Sequence, residues 1–443
     1  MKKSVLIALL LLVNCVFVTV AQSVNKPKID SLLTAMTTDN QGMGSLAISQ
    51  NGVLVYQKST GFSVINGEHQ PAATAKTRYR IGSISKMFTA VMIFQLMDEH
   101  KLALDTKLSV YYPQLPNADR ITISQMLDHR SGLHNFVRDS TYQTDMVKAH
   151  TQAEMIAMFT ADQSDFEPDS KADYSNTNYV LLGYIVEKLT NMSYAQALKL
   201  RVATKIGLTD TYYGTKINTL KGEANSYQFK NGWQPVPETD MSMVGGAGGI
   251  VSTPDDLIKF INALFNGKLI SEVDLSLMKT FRNGFGMGMF QLPFGTKKAF
   301  GHNGDIDGFS SVVGYFPEQK MAYAYCANGV DYPISNLMKG VLNIYYKIPY
   351  DLPVFNTPKL TSAQLDKYLG TYSCLQLPVK IMITKDGTAL MAQVTDQPAF
   401  VLKPLEADKF GFLRTGLVFN FKPDNFEFIL EQGGGAYMFT KDQ

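Results

Sequence analysis

The chain has little of what marks a metal, disulfide or nucleic-acid protein. Cysteine occurs three times, tryptophan once and histidine six times in 443 residues. So few cysteines, without paired spacing, exclude a zinc ribbon and a disulfide-built scaffold. Cys15 lies in an apolar leader, which leaves Cys326 and Cys374 to the rest of the chain. One bridge between them stays open, and a chain this long does not require it. His129 and His134 lack the Glu that a zinc-protease helix sets beside its first His, so they read as locally hydrogen-bonded loop residues. No metal and no organic cofactor is expected. Net charge is scarce as well: Lys2 and Lys3 account for the formal excess of +2 between 41 basic and 39 acidic residues. A balanced surface gives no general attraction for nucleic acid.

What is present reads as an exported globular protein of two domains. Hydrophobic residues make up 45% and charged residues 18%, which excludes wholesale disorder. Residues 1–21 have the form of a signal peptide: Lys2-Lys3, the apolar run Ser4 to Val20, then small residues ending at Ala21. The run is short for a span and is broken by Asn14, so no membrane span is expected once it is cleaved. Leu12-Val13-Asn14 before Cys15 fits a lipidation signal poorly. The predicted location is therefore secreted or periplasmic.

Local signals give an element order. Lys28 to Met36 reads as a short helix, and Gly44 to Gln50 and Val53 to Lys58 as strands joined by the hairpin signal Asn51-Gly52. A helix from Ser83 to about His100 is apolar on nearly all sides and should lie centrally. A mainly helical stretch follows to about residue 270, including Val180 to Leu189 and Leu257 to Leu264. The second begins at the cap signal Ser252-Thr253-Pro254-Asp255. Strands at Ser311 to Phe316 and Met321 to Ala327, then a helix from Asn336 to Tyr346, close this α+β region. One antiparallel sheet built from both ends, with helices on its faces, satisfies that order. Residues 22–348 form this predicted unit, 349–359 a proline-bearing linker, and 360–443 a small all-β domain with turns at Asp386-Gly387 and Pro423-Asp424-Asn425.

Three short constellations carry chemistry. In Ser83-Ile84-Ser85-Lys86, a spacing of three puts both functional groups on one helix face. A lysine whose charge burial disfavours can take the serine proton. In Tyr174-Ser175-Asn176, a phenol beside an ammonium can serve as base or acid, and Asn offers a donor and an acceptor. Ser175 or Asn176 would also cap a helix. Gly301-His302-Asn303-Gly304, with Asp305 after it, reads as a strand passing the site, where glycine admits a substrate backbone.

In this order the three motifs resemble those of the penicillin-recognising serine hydrolases. Tyr174-Ser175-Asn176 is similar to the Tyr-x-Asn of class C β-lactamases and their relatives. Ile121 to Leu133, Asn176 to Leu189 and Ala247 to Phe260 also look familial. The resemblance spans roughly residues 28–347, and Tyr368 to Tyr372 resembles a lipocalin-like β domain appended to some members. It implies a β-lactamase/transpeptidase-like α/β fold. It further implies that Ser83 is acylated, with Lys86 and Tyr174 handling its proton and Tyr174 helping activate water. Asn176 is expected to bind the acyl-side amide, and His302, Asn303, Gly304 and Asp305 to line the substrate. The backbone N–H groups of Ser83 and Asp305 are expected to form the oxyanion hole, where a single donor is worth about 3 kcal/mol.

His302 stands where the family often has Lys. A His of ordinary pKa, ~6.5, is mostly neutral at pH 7 and captures a carboxylate weakly. Lys297, Lys298 or Arg282 could supply the charge instead. Family members with His here resemble DD-peptidases, D-amino-acid peptidases and esterases. Hydrolysis of a D-amino peptide or carboxylic ester is thus the first expectation, β-lactam turnover the second, and a non-catalytic penicillin-binding relative the third. A small-molecule or peptide substrate is the expected partner, and the oligomeric state is open. Gly245 to Gly249 lacks the Lys-Ser/Thr of a phosphate loop and reads as a close-packed loop beside the site. Trp233 reads as a hairpin side chain.

Overall fold

The computed structural model describes residues 24–442 except 231, 354, 356–359, 396, 413–415, 433 and 434. The predicted signal segment 1–21 and part of the predicted linker lie outside the described residues. None of the described helices is long and apolar enough to cross a membrane.

Helix α1 (Lys26–Thr38) leads into strands β1 (Gly42–Gln50) and β2 (Val53–Thr60). Asn51 and Gly52 both take positive φ, 53° and 76°, as a two-residue turn matching the strand twist requires. After the helical insert come β3 (Phe290–Phe294), β4 (Lys297–Ile306), β5 (Phe309–Phe316) and β6 (Met321–Val330). The sheet order is β2-β1-β6-β5-β4-β3, with β1 antiparallel to β6. The sheet is therefore assembled from both ends of the unit. A closing helix, Ile334–Tyr345, packs with α1 on one face around Leu32, Leu33, Leu337 and Val341.

The other face carries the insert and a central helix, α2 (Ser85–Asp98), in which Ser85 to Leu96 are all buried. A helix apolar all round has no face to give to water, so it fills the middle. It does not begin at Ser83: Gly82–Ile84 form a separate 3-10 turn ahead of it. Helices α3 (Asn176–Thr190) and α4 (Met241–Gly248) pack against α2. The predicted glycine loop is thus a helical turn with one reversed residue, Gly245 (φ 41°, ψ −130°). Helix Pro254–Phe265 starts as predicted, with the Thr253 hydroxyl accepting from the Asp256 amide.

Residues 370–441 form a closed eight-stranded antiparallel barrel. Each strand pairs with the next, and the first closes on the last through Tyr372 and Lys441. Tyr372, Phe410, Phe419, Phe428 and Phe439 fill its interior, each at most 2% exposed. Eight strands leave an interior that side chains can fill or that can hold one small ligand. Here the rings fill it. Cys326 is buried in the main sheet and Cys374 belongs to the barrel region; neither is bridged.

Candidate active site

Ser83 sits in the 3-10 turn ahead of α2, half-buried, at the foot of β4. Gly82 holds φ at 51°, and a Cβ there would lie 2.8 Å from the Asp305 nitrogen. A Cβ on Gly304 would lie 2.8 Å from the Ser83 nitrogen. Two glycines thus let the backbones of the serine turn and β4 touch. The Ile306/Phe309 pair closes a two-residue hairpin, so by antiparallel alternation the Asp305 amide points away from β5. On that side β4 has no strand partner among the described residues beyond Gly301, which pairs with Phe290 at the start of β3. The amides of Ser83 and Asp305 are therefore neighbours at an open strand edge, a pair suited to holding an oxyanion.

Lys86 lies one turn after Ser83 and is wholly buried. Its Nζ is 3.0 Å from Ser83 Oγ, 2.8 Å from Asn176 Oδ1 and 2.8 Å from the Ala247 carbonyl. No carboxylate is among these partners, and burial pushes its pKa well below that of an ordinary lysine. A neutral amine has two N–H groups and one lone pair. The two amide oxygens accept the N–H groups, so the lone pair is left facing the serine hydroxyl. Asn176, at the start of α3, has thereby spent its acceptor on Lys86. Its Nδ2 lies 3.2 Å from Asn135 Oδ1, which leaves one N–H for a substrate carbonyl.

The Tyr174 hydroxyl donates to Ser83 Oγ at 2.8 Å. Its ring lies against His129 at 4.5 Å and under Lys86 Nζ at 4.8 Å. Burial raises the phenol above its ordinary value, and nearby Asp305 raises it further. Of the two roles open to this phenol, base or acid, its surroundings favour the acid. Lys86 meets the ring rather than the oxygen, and desolvation favours neutral forms of both groups. The pair is a protonated phenol and a basic amine.

His302 is 2% exposed and packs on Phe290 at 4.5 Å. Burial, the largest cause, pushes its pKa down to about 3. Its Nδ1 lies 2.5 Å from the Asn303 carbonyl, which can only accept, so Nδ1 carries the proton and Nε2 presents a lone pair. Asn303 and Asp305 can line the substrate only by their backbones, which for Asp305 is the expected role. Strand alternation turns their exposed side chains to the opposite face of the sheet, where Ser310 Oγ donates to Asp305 at 2.5 Å. Only their backbones reach the site. None of the three cations considered from sequence is placed to replace a lysine at 302. Arg282 is held by Asp169 at 2.5 Å and Asp128 at 3.4 Å. Lys297 lies over the Tyr346 ring on the opposite face. Lys298, four residues upstream, is about 13 Å along the strand.

Several residues escaped sequence reasoning. Asn135 orients Asn176, and its only signal was its place two residues beyond a familiar stretch. The Ala247 carbonyl carried none, because backbone donors and acceptors are invisible in a residue string. Arg80, buried at 2% exposure, reaches Asp307 at 3.1 Å and the Thr239 carbonyl at 2.8 Å, and also pairs with Glu238. It ties the β4–β5 turn to the segment entering Ser83. Trp233 stacks edge-on against Phe229 within a hairpin.

The family model described as Beta-lactamase matches residues 30–338, well over half the chain. The chain belongs to the beta-lactamase family. It is a serine hydrolase of that family. A penicillin-binding protein of Bacillus subtilis (strain 168) is 25% identical over 422 residues, covering 88% of this chain and 92% of its own. The teichoic acid D-alanine hydrolase of Staphylococcus aureus (strain MRSA252) is 26% identical over 230 residues, 52% of this chain and 55% of its own. Among solved structures, the D-amino acid amidase from Ochrobactrum anthropi SV3 complexed with D-phenylalanine superposes with a TM-score of 0.66. It is 26% identical and covers 73% of this chain and 99% of its own.

Proposed function

We propose that this serine hydrolase acts through a Ser83 acyl-enzyme on a D-amino-acid peptide or a carboxylic ester. The observation that carries the reading is the arrangement around Ser83 Oγ: a buried amine at 3.0 Å and a phenol O–H at 2.8 Å. Lys86 takes the serine proton as Oγ attacks the substrate carbonyl. The amides of Ser83 and Asp305 hold the resulting oxyanion. Tyr174, protonated and beside Oγ, gives its proton to the departing nitrogen or oxygen as the C–N or C–O bond breaks. The proton on Lys86 then returns to the phenol. In deacylation a water attacks, losing its proton toward the same pair, and Ser83 Oγ leaves as the hydroxyl.

Neutral His302 supports hydrolysis of an ester, or of a D-amino peptide whose leaving group carries no carboxylate, over β-lactam turnover, since a β-lactam brings a carboxylate to this position, where His302 offers no fixed charge. The D-alanine hydrolase and D-amino acid amidase relatives support the D-configuration. The leader at residues 1–21 supports action outside the cytoplasm, and N-terminal sequencing of the protein from its native host should find the mature chain starting at Gln22. A fluorophosphonate should label Ser83 in the folded protein and leave Ser83→Ala unlabelled. Parallel assays with a p-nitrophenyl ester, a D-Ala-D-Ala peptide and nitrocefin rank the substrates. A nitrocefin rate far above the other two overturns the proposed order.

A further inference from the structure

Ser83 is flanked by two different surroundings. On one side stand Tyr174 and His302, so a leaving group that takes the Tyr174 proton must depart there. The acyl group must then lie on the other side. That side is a cavity of about 380 Å³ reaching Ser83 and Asn176, walled by the apolar Val137, Tyr142, Met146, Val236, Val244 and Ile306, with the uncharged Gln143 and Thr239 and the engaged Asp307 completing it. We infer that this cavity selects an uncharged, apolar acyl group, of the size of an aryl or branched aliphatic side chain, carrying neither a free α-ammonium nor a carboxylate. The inference rests on the Ser83 acyl-enzyme reading and narrows it.

The acids around the cavity decide the point, because each is already engaged. Asp307 accepts from Arg80 at 3.1 Å and from Thr239 Oγ1 at 2.6 Å. Glu238 pairs with Arg80 and accepts from the Ile217 amide at 2.7 Å. Asp240 caps α4 through Ser242. Asp305 borders the cavity by its backbone alone, its carboxylate lying on the far face with Ser310. The nearby guanidinium of Arg80 is enclosed by these partners and is 2% exposed. An ammonium or carboxylate entering the cavity would lose water and gain no counter-ion, which disfavours it. An acyl group whose nitrogen is already acylated, as inside a longer peptide, avoids that cost and can present its amide carbonyl to the remaining N–H of Asn176.

The test uses the mature full chain and p-nitrophenyl esters sharing one leaving group: 3-phenylpropanoate, N-acetyl-D-phenylalanine, D-phenylalanine and hemisuccinate. At pH 6 the first two should exceed the last two in kcat/KM by tenfold or more. The D-phenylalanine penalty should shrink to under threefold at pH 9, where its amine is mostly neutral. Val236→Asp, at the half-buried cavity rim, should raise D-phenylalanine ester turnover relative to 3-phenylpropanoate about tenfold at pH 6. If the D-phenylalanine ester matches or beats its N-acetyl form at pH 6 while Ser83 is seen by mass to carry the acyl group, this inference is wrong and the acyl-enzyme stands. If no ester leaves its acyl mass on Ser83, the acyl-enzyme reading fails and the inference falls with it.

Discussion

The chain contains two β structures whose interiors follow opposite rules. The barrel buries rings and aliphatic side chains, and no polar or charged residue of the barrel is among the buried ones described. The open sheet and its helices bury Lys86, Arg80, Asp128, His129 and His302, each placed by hydrogen bonds or ring contacts. A buried apolar side chain contributes to stability with little demand on geometry. A buried polar group costs stability unless its partners are in place, and in return its protonation state departs from that in water. The barrel interior is therefore apolar packing, and the open sheet is where reactivity is held.

That contrast can be broken most sharply at Ser83. Ser83→Ala should lower kcat/KM by about 10⁴-fold or more, as loss of a nucleophile does in other serine hydrolases, with the melting temperature within a few degrees of wild type. Lys86→Met should approach the same loss. In the unaltered enzyme kcat/KM should rise with pH as the amine deprotonates, with a midpoint well below the 10.5 of an ordinary lysine. A midpoint near 10.5 in a pH–rate profile would remove Lys86 as the base.

In the barrel the ranking should invert. Phe428 is fully buried and stacks on Phe439 at 4.9 Å. Phe428→Ala should destabilise the barrel by about 3–5 kcal/mol in a denaturant titration, with kcat of the folded fraction nearly unchanged. A large loss of kcat at full folding would mean that the barrel shapes the site.

Acid should separate the regions next, because the barrel sequence contains no histidine. His302 has a folded pKa of about 3, below its unfolded value, so between pH 6.5 and 3 the unfolded chain binds a proton that the native site refuses. Stability should fall as pH drops through that window, by about 2 kcal/mol from pH 6.5 to 5 for this one group. Two-probe unfolding should place the loss in the sheet region, and His302→Asn should reduce it. The smallest effect is expected where the regions meet: Lys403 of the barrel pairs with Asp331 and lies over Phe229 at 5.3 Å. Lys403→Ala should cost about 1 kcal/mol or less. A larger loss, read from merged or separated unfolding transitions, would show that the two regions unfold as one.

Much of this architecture was legible because its signals are local. Asn51-Gly52 demands a hairpin by its backbone preferences. Thr253-Pro254 announces a helix, and the all-round apolar set of α2 requires a central place. The Ser83–Lys86 spacing puts both groups on one face of any helix-like turn. Pairings between distant segments were harder. That one sheet would be built from both ends was inferred from element order, but the pairing of β1 with β6 was not, and closure of the barrel by Tyr372 and Lys441 depends on a meeting of residues about 70 apart. The residue string did not say which of His302, Asn303 and Asp305 would line the site by side chain; a period of two along the strand puts His302 on one face and Asn303 and Asp305 on the other.

From sequence alone came the candidate reacting groups, since a hydroxyl, an amine and a phenol carry their chemistry wherever they stand. Only tertiary structure decided which of them is basic. Enclosing Lys86 between Ala247 and Asn176, with no carboxylate among these hydrogen-bond partners, makes the amine the favoured acceptor. The same burial keeps Tyr174 protonated and leaves His302 neutral, because the free energy of a charge depends on what surrounds it and the surroundings come from residues as much as 160 positions away.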